Sequence, residues 1–263
     1  MPAPVRTPTR KLAAASASAT NAARGYDQVA ASAHLVRVDP ALGWWIEHLG
    51  PLEPTWLEPF EPFDALARAI LYQQLAGKAA ATIVGRVERQ LGGSRLTPDA
   101  MLMQSVEAIR ACGVSGNKQL ALRDLADKTL SGVVPRNESL DALDNEALIE
   151  RLTAVRGIGR WTVEMLLLFR LGRADVLAID DLGVRKGAQV LMAMPKRAIT
   201  RKPPNSARLA ATPMPSPREL AALGARWAPY RSHACRYLWR ICDAVRAPAP
   251  NAKPIPRSQS TRD

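Results

Sequence analysis

Apolar residues recur at three- and four-residue spacings along most of the chain, and no stretch shows the sustained alternation of a strand. The spacing predicts helices over 40–49, 63–74, 78–91, 99–110, 116–130, 144–155, 160–171, 183–193, 217–225 and 231–245. Within 63–74, Phe63, Leu66, Ala67, Ile70 and Leu71 form one apolar stripe. Asp144 stands as an N-cap before Ala147, Leu148, Leu152 and Val155. The fold class is therefore all-α. A chain of 263 residues can bury one substantial core or two small lobes.

Charge sharpens the domain organisation. The net charge is +12. Residues 1–24 carry +4, 196–218 carry +6 and 246–263 carry +3, which leaves the rest of the chain at −1. These segments are rich in Pro, Ala, Ser or Thr and carry no apolar stripe. The expected organisation is a disordered basic tail over 1–25, a folded domain over 26–246 with a flexible basic loop at 194–217, and a disordered tail over 247–263. Mobile basic arms of this kind raise non-specific affinity for nucleic acid. Residues 1–24 also have the composition of a transit peptide, without its amphipathic stripe.

The candidate chemistry lies in 152–187. Arg156-Gly157-Ile158-Gly159-Arg160 interrupts two helix-patterned segments, so 144–171 reads as a helical hairpin. Two glycines permit positive φ and a close approach of a phosphate to the backbone. The free N–H groups and positive end of the next helix favour an anion. Arg156 and Arg160 add charge. Asp180-Asp181 follows, and Asp181 lies twenty residues beyond Trp161. An ionised carboxylate stabilises a developing cation and can position a water. A plain turn and a pair of loop or N-cap aspartates remain the bland alternative.

The stretch 152–187 resembles the helix-hairpin-helix plus Gly/Pro-Asp motif of base-excision DNA glycosylases. Within that superfamily it resembles DNA-3-methyladenine glycosylase II, over about 64–243. One departure stands out: Ala178-Ile179 precede the acidic pair where the family has a proline. The resemblance implies two helical lobes with the active site in an interlobe cleft. It implies a monofunctional enzyme that hydrolyses the N-glycosidic bond of alkylated purines, of the 3-methyladenine and 7-methylguanine type, in duplex DNA during base excision repair. Asp181 would be the catalytic carboxylate, with Asp180 left as a loop or N-cap residue. Relatives that also cut the backbone carry a Schiff-base lysine where this chain has Trp161, which has no amine. That implies no lyase activity.

The other site residues follow from the same resemblance. Trp161, Met165 and Trp239 would line the base pocket, by stacking and cation–π attraction. Trp227 would be structural, and Trp44, Trp45 and Trp56 packing residues. Gln74 and Leu75 would enter the gap left by base flipping. Arg156, Gly157, Ile158, Gly159 and Arg160 would bind the DNA backbone. The carbonyls of Thr153, Val155 and Ile158 would hold a structural sodium or potassium ion, with no cofactor required. The implied partner is damaged duplex DNA, bound by a monomer in a bacterial cytoplasm, at the nucleoid, or in a eukaryotic nucleus.

Composition removes other classes. Cys112, Cys235 and Cys242 form neither a CxxC pair nor a disulfide framework, and cannot supply a four-cysteine iron–sulfur cluster. His34, His48 and His233 are scattered, which argues against zinc or a Ser-His-Asp site. No run is apolar enough to span a membrane. Two alternatives stay open: a glycosylase for deaminated or oxidised bases, and a catalytically silent helix-hairpin-helix DNA-binding module.

Overall fold

The structure, a computed structural model, describes residues 24–194 and 204–246. The described residues form thirteen α-helices and two short 3-10 turns, with no strand among them. They divide into two compact units, one of 24–28 with 52–178 and one of 29–51 with the described residues from 179 to 246. No helix among the described residues is long and apolar enough to cross a membrane.

In the first unit, α3 (Pro62–Tyr72) buries Phe63, Leu66, Ala67, Ile70 and Leu71. Its polar side is tied down by Arg68, which bridges Asp64 and Glu88 of α4 (Gly77–Leu91). Two short helices follow, α5 (Pro98–Leu102) and α6 (Val106–Ala111). The sequence pattern predicts one helix there. Ser105 breaks it by capping α6, its hydroxyl accepting from the Ala108 N–H at 3.1 Å. Helix α7 (Gly116–Leu130) packs against α3, α5 and α6. Helices α8 (Asn145–Thr153) and α9 (Arg160–Phe169) complete the unit, burying Leu148, Leu152, Val163 and Leu167.

The tail expectation fails at its end. Arg24 is buried and donates to Asp141 and to the Asn137 carbonyl. Beside it Trp56 lies so close to Gly25 that a Cβ there would stand 2.0 Å from the indole nitrogen. Apolar packing and an ion pair from the buried Arg24 to the exposed Asp141 therefore order 24–25. Residues 1–23, 195–203 and 247–263, which hold most of the expected tails and part of the loop, lie outside the described residues.

The second unit contains α1 (Gln28–Val38), α2 (Pro40–Leu49), α10 (Leu182–Ala193), α11 (Ser206–Ala211), α12 (Pro217–Gly224) and α13 (Arg231–Arg246). The sequence pattern gives no helix for α1, whose buried positions are only Ala31 and Leu35. Helix α11 falls inside the expected flexible loop, because Asn205 caps it through the Arg208 N–H. Gln189 then holds its far end through the carbonyls of Leu209 and Thr212. The unit's core is built on Trp227, whose indole donates to Asp39 at 2.9 Å. The other oxygen of Asp39 caps α2 through the Leu42 N–H.

A buried histidine sets an acid limit on this core. His233 is fully buried, and its Nε2 lies 2.8 Å from Ser32 Oγ. Burial, helped by Arg236, pushes its pKa down to about 4 from an ordinary 6.5. Between those values the unfolded chain binds a proton that the folded chain does not. Stability therefore falls as pH drops from about 6.5 to about 4, by up to roughly 3 kcal/mol. Thermal melts across that window are expected to show a loss that His233→Gln reduces. Equal pH slopes for the two proteins would remove His233 as the cause.

Candidate active site

The hairpin is built by local rules. Asp144 caps α8, accepting from the Ala147 N–H at 2.8 Å. After Thr153 the chain turns back, with the Ile158 N–H donating to the Val155 carbonyl at 3.1 Å. Gly157 takes φ +78, a conformation that favours glycine. Gly159 does not: at φ −94 and ψ 167 it is the extended N-cap of α9. Only one of the two glycines is thus needed for positive φ. The second leaves the first N–H groups of α9 uncrowded, with nothing within 4 Å of where its Cβ would stand.

Side chains then divide the hairpin residues. Ile158 is buried, so its side chain plugs the core and only its backbone remains for a ligand. Arg156 is exposed. Its N–H is held by Asp124 at 2.7 Å, and Lys128 binds both Asp124 and the Ala154 carbonyl. Burial raises the Asp124 pKa, but the Arg156 N–H and the Lys128 ammonium more than offset it, so the net shift is downward. Arg160, expected as a phosphate ligand, is half exposed and already carries ion pairs. Its guanidinium is held by Glu146 at 2.6 Å and by the buried Glu164 at 3.1 Å. With two carboxylates on it, its charge is largely compensated.

Beside the hairpin lies a cavity of about 560 Å³. Its walls include Ala69, Tyr72, Gln74, Trp161, Met165 and Phe169. Trp161, the second residue of α9, is 49% exposed and lines this cavity. The structure therefore joins Trp161, Met165 and Gln74 in one mostly apolar hollow. Tyr72 and Phe169 were missed from the sequence, although Phe169 lies two helical turns beyond Trp161 and Met165 one. Gln74 is non-glycine at φ +57, and Leu75 is 39% exposed at the tip of the loop between α3 and α4. An exposed leucine on a strained turn is placed to meet something other than its own core.

The carboxylate stands in the second unit. Asp181 caps α10, its Oδ1 accepting from the Val184 N–H at 2.8 Å. The N-cap role expected of Asp180 belongs to Asp181, while Asp180 is exposed. The same Oδ1 accepts from the Trp239 indole at 2.8 Å. Trp239 is half-buried, and its indole nitrogen is turned on the carboxylate. Gly183 makes room for this: a Cβ there would stand 2.6 Å from Trp239 Cδ1 and 3.2 Å from Asp181 Oδ1. Two N–H donors, one from the first turn of α10 and one from the Trp239 indole, thus meet at this one oxygen.

No group of acidic, histidine or cysteine side chains suited to a metal occurs among the described residues. The three cysteines are buried and none is in a disulfide.

Residues 67–212, more than half of the chain, match the HhH-GPD superfamily of base excision DNA repair proteins. The chain belongs to that superfamily. It is 37% identical over 212 residues to DNA-3-methyladenine glycosylase 1 of Schizosaccharomyces pombe, spanning 80% of this chain and 86% of that one. The solved structure of the S. pombe 3-methyladenine DNA glycosylase in complex with abasic DNA superposes with a TM-score of 0.66, at 36% identity, covering 80% of this chain and 95% of that chain. A DNA-3-methyladenine glycosidase from Bacillus halodurans gives 0.67 at 34% identity, covering 81% and 88%. The two-lobed helical glycosylase fold accordingly holds for this chain, and the missing proline before Asp180 does not disturb the cap at Asp181.

Proposed function

We propose that this chain is a monofunctional DNA glycosylase that removes alkylated purines of the 3-methyladenine and 7-methylguanine type from duplex DNA. The observation that carries the reading is the placement of Trp161, half exposed at the start of α9, in the wall of an aromatic-lined cavity. An alkylated purine is cationic, and an electron-rich face attracts it by stacking and cation–π interaction. The same cation weakens its own glycosidic bond. As that bond breaks, charge builds on the deoxyribose, and the Asp181 carboxylate stabilises it and positions the attacking water. Leu75, with Gln74 beside it, fills the space the extruded base leaves. Backbone N–H groups after Gly159 and the Arg156 guanidinium hold the phosphates. Arg160, half exposed in its ion pairs with Glu146 and Glu164, adds to the same backbone contact.

Duplexes carrying one 3-methyladenine, 7-methylguanine, hypoxanthine or 8-oxoguanine test the reading directly. The expected products are free methylated base and an intact strand with an abasic site. Borohydride is expected to trap no protein–DNA adduct, since Trp161 forms no imine. Preferential release of hypoxanthine or 8-oxoguanine overturns the substrate class. Efficient trapping with strand cleavage overturns the absence of lyase activity. Binding without release of any base leaves a silent DNA-binding module.

The same reading includes an alkali cation on the carbonyls of Thr153, Val155 and Ile158. The donor set suits one: these are neutral carbonyl oxygens at or just beyond the negative end of α8, and Lys128 already brings an ammonium to the neighbouring Ala154 carbonyl. The Val155 carbonyl accepts the Ile158 N–H and keeps a second lone pair. Exchanging potassium for tetramethylammonium at equal ionic strength is expected to weaken binding to abasic duplex. Unchanged affinity would remove the ion from the account.

A further inference from the structure

The loop that carries Gln74 and Leu75 is tied to the hairpin by contacts that the reading above does not use. Lys118, in the first turn of α7, donates to the carbonyls of Leu71 at 2.7 Å and Gln73 at 2.8 Å. An ammonium there satisfies carbonyls that α3 leaves open at its C-terminal end. The side-chain amide of Gln73 reaches in the other direction and donates to the Gly157 carbonyl at 2.8 Å, across 84 positions of sequence. Gly157 is the hairpin residue at positive φ, and a Cβ on it would stand 3.2 Å from Ala121 Cβ of α7. Farther along α7, Asp124 holds the Arg156 N–H and Lys128 the Ala154 carbonyl. Positions 118, 121, 124 and 128 fall on one side of a helix. One face of α7 therefore carries the base of the exposed loop at its first turn and the hairpin at its later turns.

We propose that Gln73 is a strut and α7 its spine, together setting the loop bearing Leu75 at a fixed distance from the hairpin, so that gripping the phosphate backbone and driving the wedge into the base stack become one event. The inference rests on the glycosylase reading for its substrate. A wedge must enter the stack at a defined offset from the phosphates that anchor the protein. The loop around it is short and strained at Gln74, and on its own would sample other positions. The Gln73 amide removes that freedom with one neutral hydrogen bond, and Lys118 fixes the carbonyl from which Gln73 departs. Gln73 and Lys118 are thus positioning residues for extrusion rather than for hydrolysis.

The test uses the full chain and two variants, Gln73→Met and Lys118→Met, which remove the donors and keep side-chain length. The probe is a duplex with one 7-methylguanine and a neighbouring 2-aminopurine whose fluorescence rises on unstacking. A second duplex presents the same lesion in a one-nucleotide bulge, where little extrusion is required. Each variant is expected to slow unstacking and single-turnover excision on the paired lesion about tenfold, the scale of one lost hydrogen bond. Affinity for an abasic duplex is expected to stay within about threefold, and excision of the bulged lesion to recover to near the wild-type rate. Wild-type unstacking by both variants overturns the proposal. So does an equal loss on paired and bulged lesions, which would give Gln73, itself in the cavity wall, a part in holding the base or in overall folding. A wild-type protein that unstacks DNA but excises no lesion overturns the function proposed above, and the unstacking rates still decide the strut. A wild-type protein that gives no unstacking signal overturns the strut itself.

Discussion

Asp181→Asn is expected to lower single-turnover excision by about 10²–10³, the usual cost of losing one preorganised electrostatic partner, while leaving folding and DNA affinity nearly intact. The structure makes this an unusually clean substitution. Oδ1 of Asp181 caps α10 through the Val184 N–H and accepts the Trp239 indole. An asparagine oxygen accepts both bonds, and Asn caps helices about as well as Asp. What disappears is the negative charge. A small stability change remains, because the charge also meets the positive end of α10, a term of about 0.3–1 kcal/mol. Asp180→Asn is expected to cost little, since Asp180 is exposed and caps nothing. Near-normal excision by Asp181→Asn would remove the carboxylate from the chemistry. A lost rate together with a collapsed melting temperature would mean that the cap, not the charge, had been measured.

Much of the fold was legible in the sequence, for reasons that are local. The expected helices at 116–130 and 40–49 match α7 and α2 to the residue, since the helical apolar spacing and the residues that stop it, such as Gly50 after Leu49, lie close together in the chain. The hairpin helices end within two residues of expectation, because Asp144 and the glycine pair are local signals. The cap at Asp181 was equally available, as an Asp directly before the helix-patterned run from Leu182, but a catalytic reading of Asp181 left the cap to Asp180. Other features were out of reach. The Trp239–Asp181 bond spans 58 positions and the Gln73–Gly157 bond 84, and no periodicity joins residues so far apart. The charge of Arg160 suggested a phosphate ligand. The sequence also contains Glu146 and Glu164, and Glu164 is one turn along on the same helix face, which is the local signal for the ion pairs that the phosphate reading leaves out. Tertiary packing also overrode composition at Arg24, where a basic, alanine-rich segment ends in a buried arginine paired with Asp141.

Gly187→Ala is expected to destabilise the protein by about 4 kcal/mol, more than the ordinary cost of overpacking. A Cβ on Gly187 would stand 2.1 Å from the Leu238 carbonyl oxygen and 2.8 Å from its Cα. The obstacle is the backbone of α13, which cannot rotate away as a side chain would, so α10 and α13 must separate. Alanine favours helix over glycine by about 1 kcal/mol, too little to offset this. For a chain of this size the loss corresponds to a fall of roughly 8–16 °C in melting temperature. The site should register the same displacement. Asp181 caps α10, and Trp239 follows Leu238 on α13, so the crossing at Gly187 sets the 2.8 Å bond between them. At a temperature where the variant remains folded, excision is expected to fall while binding of abasic duplex through the hairpin of the other unit holds. If Gly187→Ala melts like the wild type, α10 and α13 have a freedom that the close contact denies. If it melts early but excises normally, the crossing stabilises the unit without positioning the carboxylate.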